Sequence, residues 1–210
     1  MLRFDHIAVV APDLDEGIAY IGESLGITPA NARTHVDMGT HNRRVRLGAD
    51  TYLEVIAVDP DAEPPASPRW FGLDRAEAVR TAWSRGHRIG GWVARTDDID
   101  AVLARHGHLL GSKRWLEGSF HFAVPADGSL PLGGVLPYAI DLAGEPPTAA
   151  RLEDQGVRLE AFVLEHPNPE AVVALYDALG VDQTPTVVAG PAIRFSAEIE
   201  TPDGRTVLLR

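Results

Sequence analysis

The chain has no cysteine among its 210 residues, which removes disulfides, thiolate nucleophiles and every thiolate-ligated zinc or iron-sulfur centre. Any metal must then be held by histidine and carboxylate. Basic residues are also few, 19 lysines and arginines against 30 aspartates and glutamates for a net charge of −11. A groove that tracked phosphates would oppose the field of the whole molecule, so nucleic acid is not an expected partner. Long apolar runs are missing too, since no window approaches the roughly 18 to 20 uninterrupted apolar residues of a spanning helix. The opening MLRFDHIAVVAPDLDE is interrupted by Asp5 and Asp13 and lacks the basic start and small-residue cleavage site of a signal peptide. A soluble cytoplasmic protein with no membrane partner is expected. The P-loop, the GXGXXG fingerprint and HEXXH are absent, which removes support for nucleotide binding and zincin proteolysis. Gly22-Glu23-Ser24-Leu25-Gly26 matches GXSXG by letters, but a nucleophile elbow lies between a strand and a helix, whereas Ser24 falls at the end of a predicted helix.

What is present is an ordinary globular composition, 45% hydrophobic and 23% charged, long enough for one substantial core or two small ones. Phe4 to Ala11 reads as a strand buried on both faces. Asp13 then caps a helix with Glu16 in the capping-box position, and Leu14, Ile18, Ile21 and Leu25 recur at helical spacing before Gly26 ends it. Arg43 to Leu47 and Thr51 to Val58 read as two strands joined at Gly48-Ala49-Asp50. The prolines of Asp59 to Arg69 cannot donate to a sheet ladder, so this stretch reads as a polar linker. Beyond it, Gly90 to Thr96, Ile99 to Arg105, Phe120 to Val124 and Val135 to Leu142 repeat the strand, helix and strand order, and Glu145-Pro146-Pro147 forms a second linker.

An internal repeat organises these elements. Residues 6 to 27 lie over 160 to 181 without a gap, with Val9 on Val163, Glu16 on Glu170, and Leu25-Gly26 on Leu179-Gly180. The helical positions Ile18, Ile21 and Leu25 fall on Val172, Leu175 and Leu179, and the tail ETPDGRTVLLR supplies a turn and strand as RLGADTYLEVI does. The expectation is an α+β fold of repeated βαβββ modules. The first spans 1–60, a linker and connecting segment 61–89, a divergent second module 90–145, and a third 155–210 with a helix from about Pro169 to Leu179.

Two polar residues interrupt apolar strands: His6, expected to share a face with Phe4 and Ala8, and Glu54, between Tyr52 and Ile56. A buried carboxylate needs a partner. The residues alone leave two readings open. Glu54 pairs with Arg43, Arg44 or Arg46 across the hairpin while His6 donates to a carbonyl, or the two are ligands of a divalent ion.

FDHIAVVAPDLDEGIAYIGESLGI followed by MGTHNRRVRLGADTYLEVIAVDP resembles the first module of the glyoxalase-like branch of the vicinal oxygen chelate superfamily (glyoxalase, bleomycin resistance and dioxygenase proteins). WFGLD, GGWVARTDDID and LPYAIDL are similar to later landmarks of that branch. The resemblance implies curled mixed sheets around a central cleft, with metal ligands from the first and last strands of each module. His6 and Glu54 match the two positions of module one. In module two, Gly91 stands in for the first ligand and Asp141 or Ala139 for the second; in module three they are Glu160 and Leu208. Neither later module restores a full set. A third ligand is then sought in His41, beside the hairpin, or in His121, which alternates with Phe120 and Phe122. His35, His87, His106, His108 and His166 read as surface residues. Trp115, Trp92, Tyr138 and Trp70 are candidates for an apolar pocket wall, and His121, Trp115, Tyr138 and Asp141 for substrate contacts. The resemblance thus implies a divalent-metal enzyme of lyase, isomerase or dioxygenase type, with His6, Glu54 and His41 on the metal and Glu54 as its catalytic carboxylate. The alternative is a metal-free protein of the same fold that binds or sequesters a small organic molecule. An odd third module pairs either within the chain or across a homodimer.

Overall fold

The computed structural model describes residues 1–210. The first module comprises β1 (Leu2–Val10), α1 (Leu14–Leu25), β2 (Asn31–His35), β3 (Thr40–Arg46) and β4 (Tyr52–Val58). The Asp13 side chain accepts from the Glu16 N–H, and Gly26 ends α1 in the left-handed region at φ 68°. That position suits glycine because it has no Cβ to clash. The connecting segment carries a helix of its own, α2 (Ala76–Ser84), preceded by a tight turn at Trp70–Gly72. The second module comprises β5 (Ile89–Arg95), α3 (Ile99–Leu110), β6 (Ser112–Leu116), β7 (Phe120–Val124) and β8 (Tyr138–Asp141).

Both modules join one mixed sheet in the order β2-β3-β4-β1-β5-β8-β7-β6. In each, the last strand lies parallel to the first, and the modules meet where β1 and β5 run antiparallel. The fold is therefore α+β with βαβββ modules in a curled sheet. Its two ends approach closely enough for Arg33 on β2 to donate to Glu117 beyond β6, with Nη2 at 2.6 Å from Oε2, and for the Glu117 N–H to donate to Asp37 at 2.6 Å. These side-chain bonds clasp edges that would otherwise be open to pairing.

The remaining strands are β9 (Arg158–His166), the short β10 (Val181–Asp182), β11 (Thr186–Ala189), β12 (Arg194–Glu200) and β13 (Thr206–Leu209), with α4 (Pro169–Leu179) following β9. Here the strand order differs from the first two modules. A four-stranded sheet runs β11-β9-β12-β13, so the parallel neighbour of β9 is β11, soon after the helix, and not the last strand. Only β10 reaches the large sheet, beside Leu2 and Arg3 of β1, where β4 has not yet begun to pair. The reason is burial. Phe162, Leu164, Phe195 and Ile199 of this unit join one core with the helix-covered face of the large sheet. Tyr176 of α4 donates to the Val135 carbonyl at 2.8 Å and meets Trp92 edge-on. The third unit is thus a cover over the convex face.

The concave face holds a second apolar cluster built on Trp70, Phe71, Phe120, Phe122 and Tyr138. Trp70 and Phe71 come from the proline-rich connector, which folds into the cup as a plug. Phe71 sits at φ 54°, and its N–H donates to Tyr138 Oη at 2.8 Å. The plug rests on Gly128, whose carbonyl accepts from the Gly72 N–H at 2.9 Å. A Cβ on Gly128, at φ +70°, would lie 2.0 Å from the Arg69 carbonyl oxygen. Gly128→Ala is therefore expected to destabilise by more than about 1 kcal/mol. Gly118→Ala supplies the control in thermal melting, since Gly118 has a similar φ of +61° and open space around it; equal losses would show that the plug does not depend on this contact. No helix is long and apolar enough to cross a membrane.

Candidate functional site

His6 enters the cup because β1 is bulged. Its register against β5 jumps from Phe4 opposite Ala94 to His6 opposite Val93, which leaves Asp5 as the extra residue. A bulge puts neighbouring side chains out of strict alternation. Phe4 accordingly packs in the convex core while Ala8 packs in the concave one, contrary to the expected shared face of Phe4, His6 and Ala8. The same displacement brings Asp5 Oδ1 to 2.7 Å from His6 Nδ1.

On the neighbouring strand β4, Tyr52 stacks on the imidazole with ring centroids 4.3 Å apart. Two residues on, Glu54 brings Oε2 to 3.4 Å from His6 Nε2. Asn42 of β3 donates its amide to the other oxygen of Glu54, and Arg43, Arg44 and Arg46 donate instead to backbone carbonyls, so none of the three is its partner. Behind Asp5, Arg95 Nη1 lies 3.3 Å from Asp5 Oδ2 and also donates to the Asp50 carbonyl at 3.0 Å. A continuous polar chain, Arg95, Asp5, His6, Glu54, Asn42, thus crosses the floor of the cup. Asp5, His6, Asn42 and Glu54 are all buried.

Burial alone would lower the His6 pKa, but the hydrogen bonds and charges of Asp5 and Glu54 outweigh it and push the group up to about 9. Burial alone would raise Glu54, yet His6, His35 and the Asn42 amide hold it down at about 2. An imidazolium between two carboxylates is the resulting ground state near neutral pH. His35, expected at the surface, is buried on the concave side of β2, with Nδ1 3.2 Å from Thr40 Oγ1 and its ring edge-on to Trp70. Burial lowers it to about 4; Glu54 opposes this, and Arg33 and Arg44 add to it. His35 is therefore neutral.

These groups line a cavity of about 40 Å³ walled by Trp70, Phe71, Phe120 and Phe122. Two polar atoms among the lining residues lack a hydrogen-bond partner, Asn42 Oδ1 and Arg44 Nε. Thr148 reaches the rim from the second linker, whose Ala149 and Leu152 pack on Tyr52.

Of the other candidates, Tyr138 is in the cup but deep within it, its hydroxyl spent on the Phe71 N–H and the Ser129 carbonyl. His41 lies opposite in alternation to the inward Asn42 and has Asp59 at 4.0 Å; it does not reach the cavity. His121 alternates with the cavity residues Phe120 and Phe122 and packs at a tilt against the half-exposed Trp115 on the other side of the sheet. Asp141 likewise opposes the inward Ile140, and it accepts from the Ile99 N–H at the start of α3 at 3.2 Å. Trp92 is a convex-core residue donating to the Val135 carbonyl. His41, His121, Trp115 and Asp141 are thus corrected to positions outside the cup, because strand alternation at β3, β7 and β8 assigns the inward places to their neighbours. Asn42, His35 and Arg44 were missed. Every residue from Thr40 to Arg44 is polar, so no alternation marks which of them point inward, and His35 lies on the separate strand β2.

A divalent ion in the cup would need donors beyond His6 and Glu54. His6 pairs with Tyr52 across β1 and β4, and Val93 pairs with Tyr138 across β5 and β8. The second module therefore carries Val93 and Ile140 where the first carries His6 and Glu54, which supersedes the Gly91 and Asp141 alignment. Both are aliphatic. Within the first module, both His6 nitrogens and both Glu54 oxygens are already engaged. No group of three or more histidine, aspartate or glutamate side chains is arranged to hold a metal ion. The residues present do not fit such an ion.

A family model described as a glyoxalase-like domain matches residues 4–180. No curated protein sequence matches. Among solved structures, a hypothetical protein from Staphylococcus aureus superposes with a TM-score of 0.63 at 13% identity, covering 100% of this chain and 99% of that one. Methylmalonyl-CoA epimerase from Streptomyces coelicolor aligns with a TM-score of 0.42 at 18% identity, over 69% of this chain and 96% of its own. The epimerase from Mycobacterium tuberculosis gives 0.43 at 20%, over 66% and 86%. With most of its length matched by that family model and its two modules meeting in one curled sheet, the chain belongs to the glyoxalase-like branch of the vicinal oxygen chelate superfamily.

Proposed function

We propose that this protein binds a small organic molecule in the cup without a divalent metal. The observation that carries this reading is the closed polar chain Asp5, His6, Glu54, Asn42, which satisfies the two residues at the ligand positions of module one while Val93 and Ile140 occupy those of module two. A carboxylate held near pKa 2 is also a weak general base, since proton transfer near neutral pH works best with a group that titrates there. Recognition is left to the unpartnered atoms. Asn42 Oδ1 takes a donor from the ligand and Arg44 Nε an acceptor, so a small hydroxy or amide-bearing carboxylate is complementary, with its apolar part against Phe120 and Phe122. A cavity of about 40 Å³ admits only a few atoms, and the linker around Thr148 must move to admit more.

The test is equilibrium dialysis near neutral pH against zinc and manganese, followed by elemental analysis. Less than about a tenth of an equivalent should be retained, against the full equivalent that an intact three-ligand site holds. In parallel, lactate should raise the melting temperature of the wild type and not of Arg44→Gln. One equivalent of metal retained by the wild type and lost in His6→Ala would overturn the reading in favour of the metal enzyme.

A further inference from the structure

A second hollow lies outside the cup, between α1, the end of α2 and the sheet of the third unit. It has a volume of about 340 Å³, and its lining includes Arg85, Arg88, Arg194 and Arg210 together with His87, with no aspartate or glutamate among them. In a chain of net charge −11 this is a local inversion of sign. None of the four guanidiniums is in an ion pair, whereas nine of the other fifteen basic side chains are. Clustering like charges costs free energy unless a counter-charge is supplied.

The arginines are also positioned. The Arg88 guanidinium lies 4.3 Å from the ring centroid of Tyr20 and 5.0 Å from that of Trp83, and its backbone N–H donates to the Arg210 carbonyl at 3.0 Å. Such stacking holds a long side chain in one orientation. The Nε atoms of Arg88 and Arg194 are buried and make no hydrogen bond. An unpaired buried donor of a charged group is expensive, and both belong to side chains lining the same hollow.

We propose that this hollow binds a compact small molecule carrying a diphosphate group. Guanidinium forks match phosphate oxygens two at a time, and four of them exceed what one monoanion requires. The acidic remainder of the surface disfavours an extended polyanion such as RNA, which would have to run across it.

Isothermal titration calorimetry with inorganic pyrophosphate on the full chain tests the site, with inorganic phosphate and heparin as comparison titrants. Saturable binding of one pyrophosphate is expected, tighter than phosphate and weakened by added salt. Arg194→Gln and Arg210→Gln should each lower the affinity about tenfold or more, as for loss of a charged hydrogen bond. Neither side chain makes a hydrogen bond within the protein, so both variants should keep the wild-type melting curve. Arg105→Gln, which removes the same charge on α3, should bind as the wild type does. Absence of binding at millimolar pyrophosphate, affinity unchanged in both hollow variants, an equal loss in Arg105→Gln, or binding of heparin alone would each overturn the proposal.

Discussion

Replacing His6 by alanine is expected to lower the unfolding free energy by about 3–5 kcal/mol, because it strips an imidazolium from between two buried carboxylates. For a chain of this size that is a fall in melting temperature of roughly 6–20 °C. Asp5 would retain Arg95, but Glu54 would keep only the Asn42 amide. The loss should be non-additive. Glu54→Gln in the His6→Ala background removes the stranded charge, so the double variant should be more stable than His6→Ala alone. Denaturant unfolding of the four-member cycle checks this. Additive losses would show that the contact at 3.4 Å carries no coupling, and the polar chain would then be a set of independent bonds.

Thermal stability is expected to peak near pH 6.5 and to fall on both sides, each limb with its own residue. His6 is raised from 6.5 to about 9, so the folded state holds a proton that the unfolded chain releases. Its contribution is complete below pH 6.5 and is lost as pH rises through 9. His35 is lowered from 6.5 to about 4, so protonation favours the unfolded chain, and stability falls as pH drops from 6.5 through 4. Glu54, lowered from 4.5 to about 2, extends the acid limb, its contribution being present above 4.5 and lost on approach to 2. Melting curves across this range should show that His6→Gln flattens the alkaline limb and His35→Gln the acid limb between pH 6.5 and 4. An alkaline limb unchanged in His6→Gln would mean that His6 is neutral in the fold, and the metal-free reading would lose its electrostatic support.

Much of the local structure is legible from the residues. The capped, periodic segment from Asp13 to Gly26 forms α1, because a capping carboxylate, an apolar stripe and a terminal glycine all favour the same helix. That His6 and Glu54 each need a buried partner is legible for a related reason, since a lone polar residue in an apolar strand must be satisfied; that they meet each other is not, because an arginine or a metal ion would have served as well. The faces were less accessible. One extra residue at Asp5 reverses alternation along β1, and nothing in FDHIAVV marks it. At β7, alternation separates His121 from Phe120 and Phe122, but only the curl of the sheet says which set points inward.

The sequence by itself determined the capped first helix and the order of the main strands of the first two modules, though not the edge strands β2 and β6 or the full length of α3. It also determined that His6 and Glu54 would be buried among apolar neighbours. These follow from periodicity, capping and the cost of burying charge, all of which act over a few residues. Only the tertiary structure decided that Trp70 and Phe71 leave the proline-rich connector to fill the cup. It also decided that Val93 and Ile140 occupy the second module's inward positions, and that the third unit covers the convex face with a different strand order. Each depends on which distant surface a segment can bury against, and that competition between packings is written in no local run of residues.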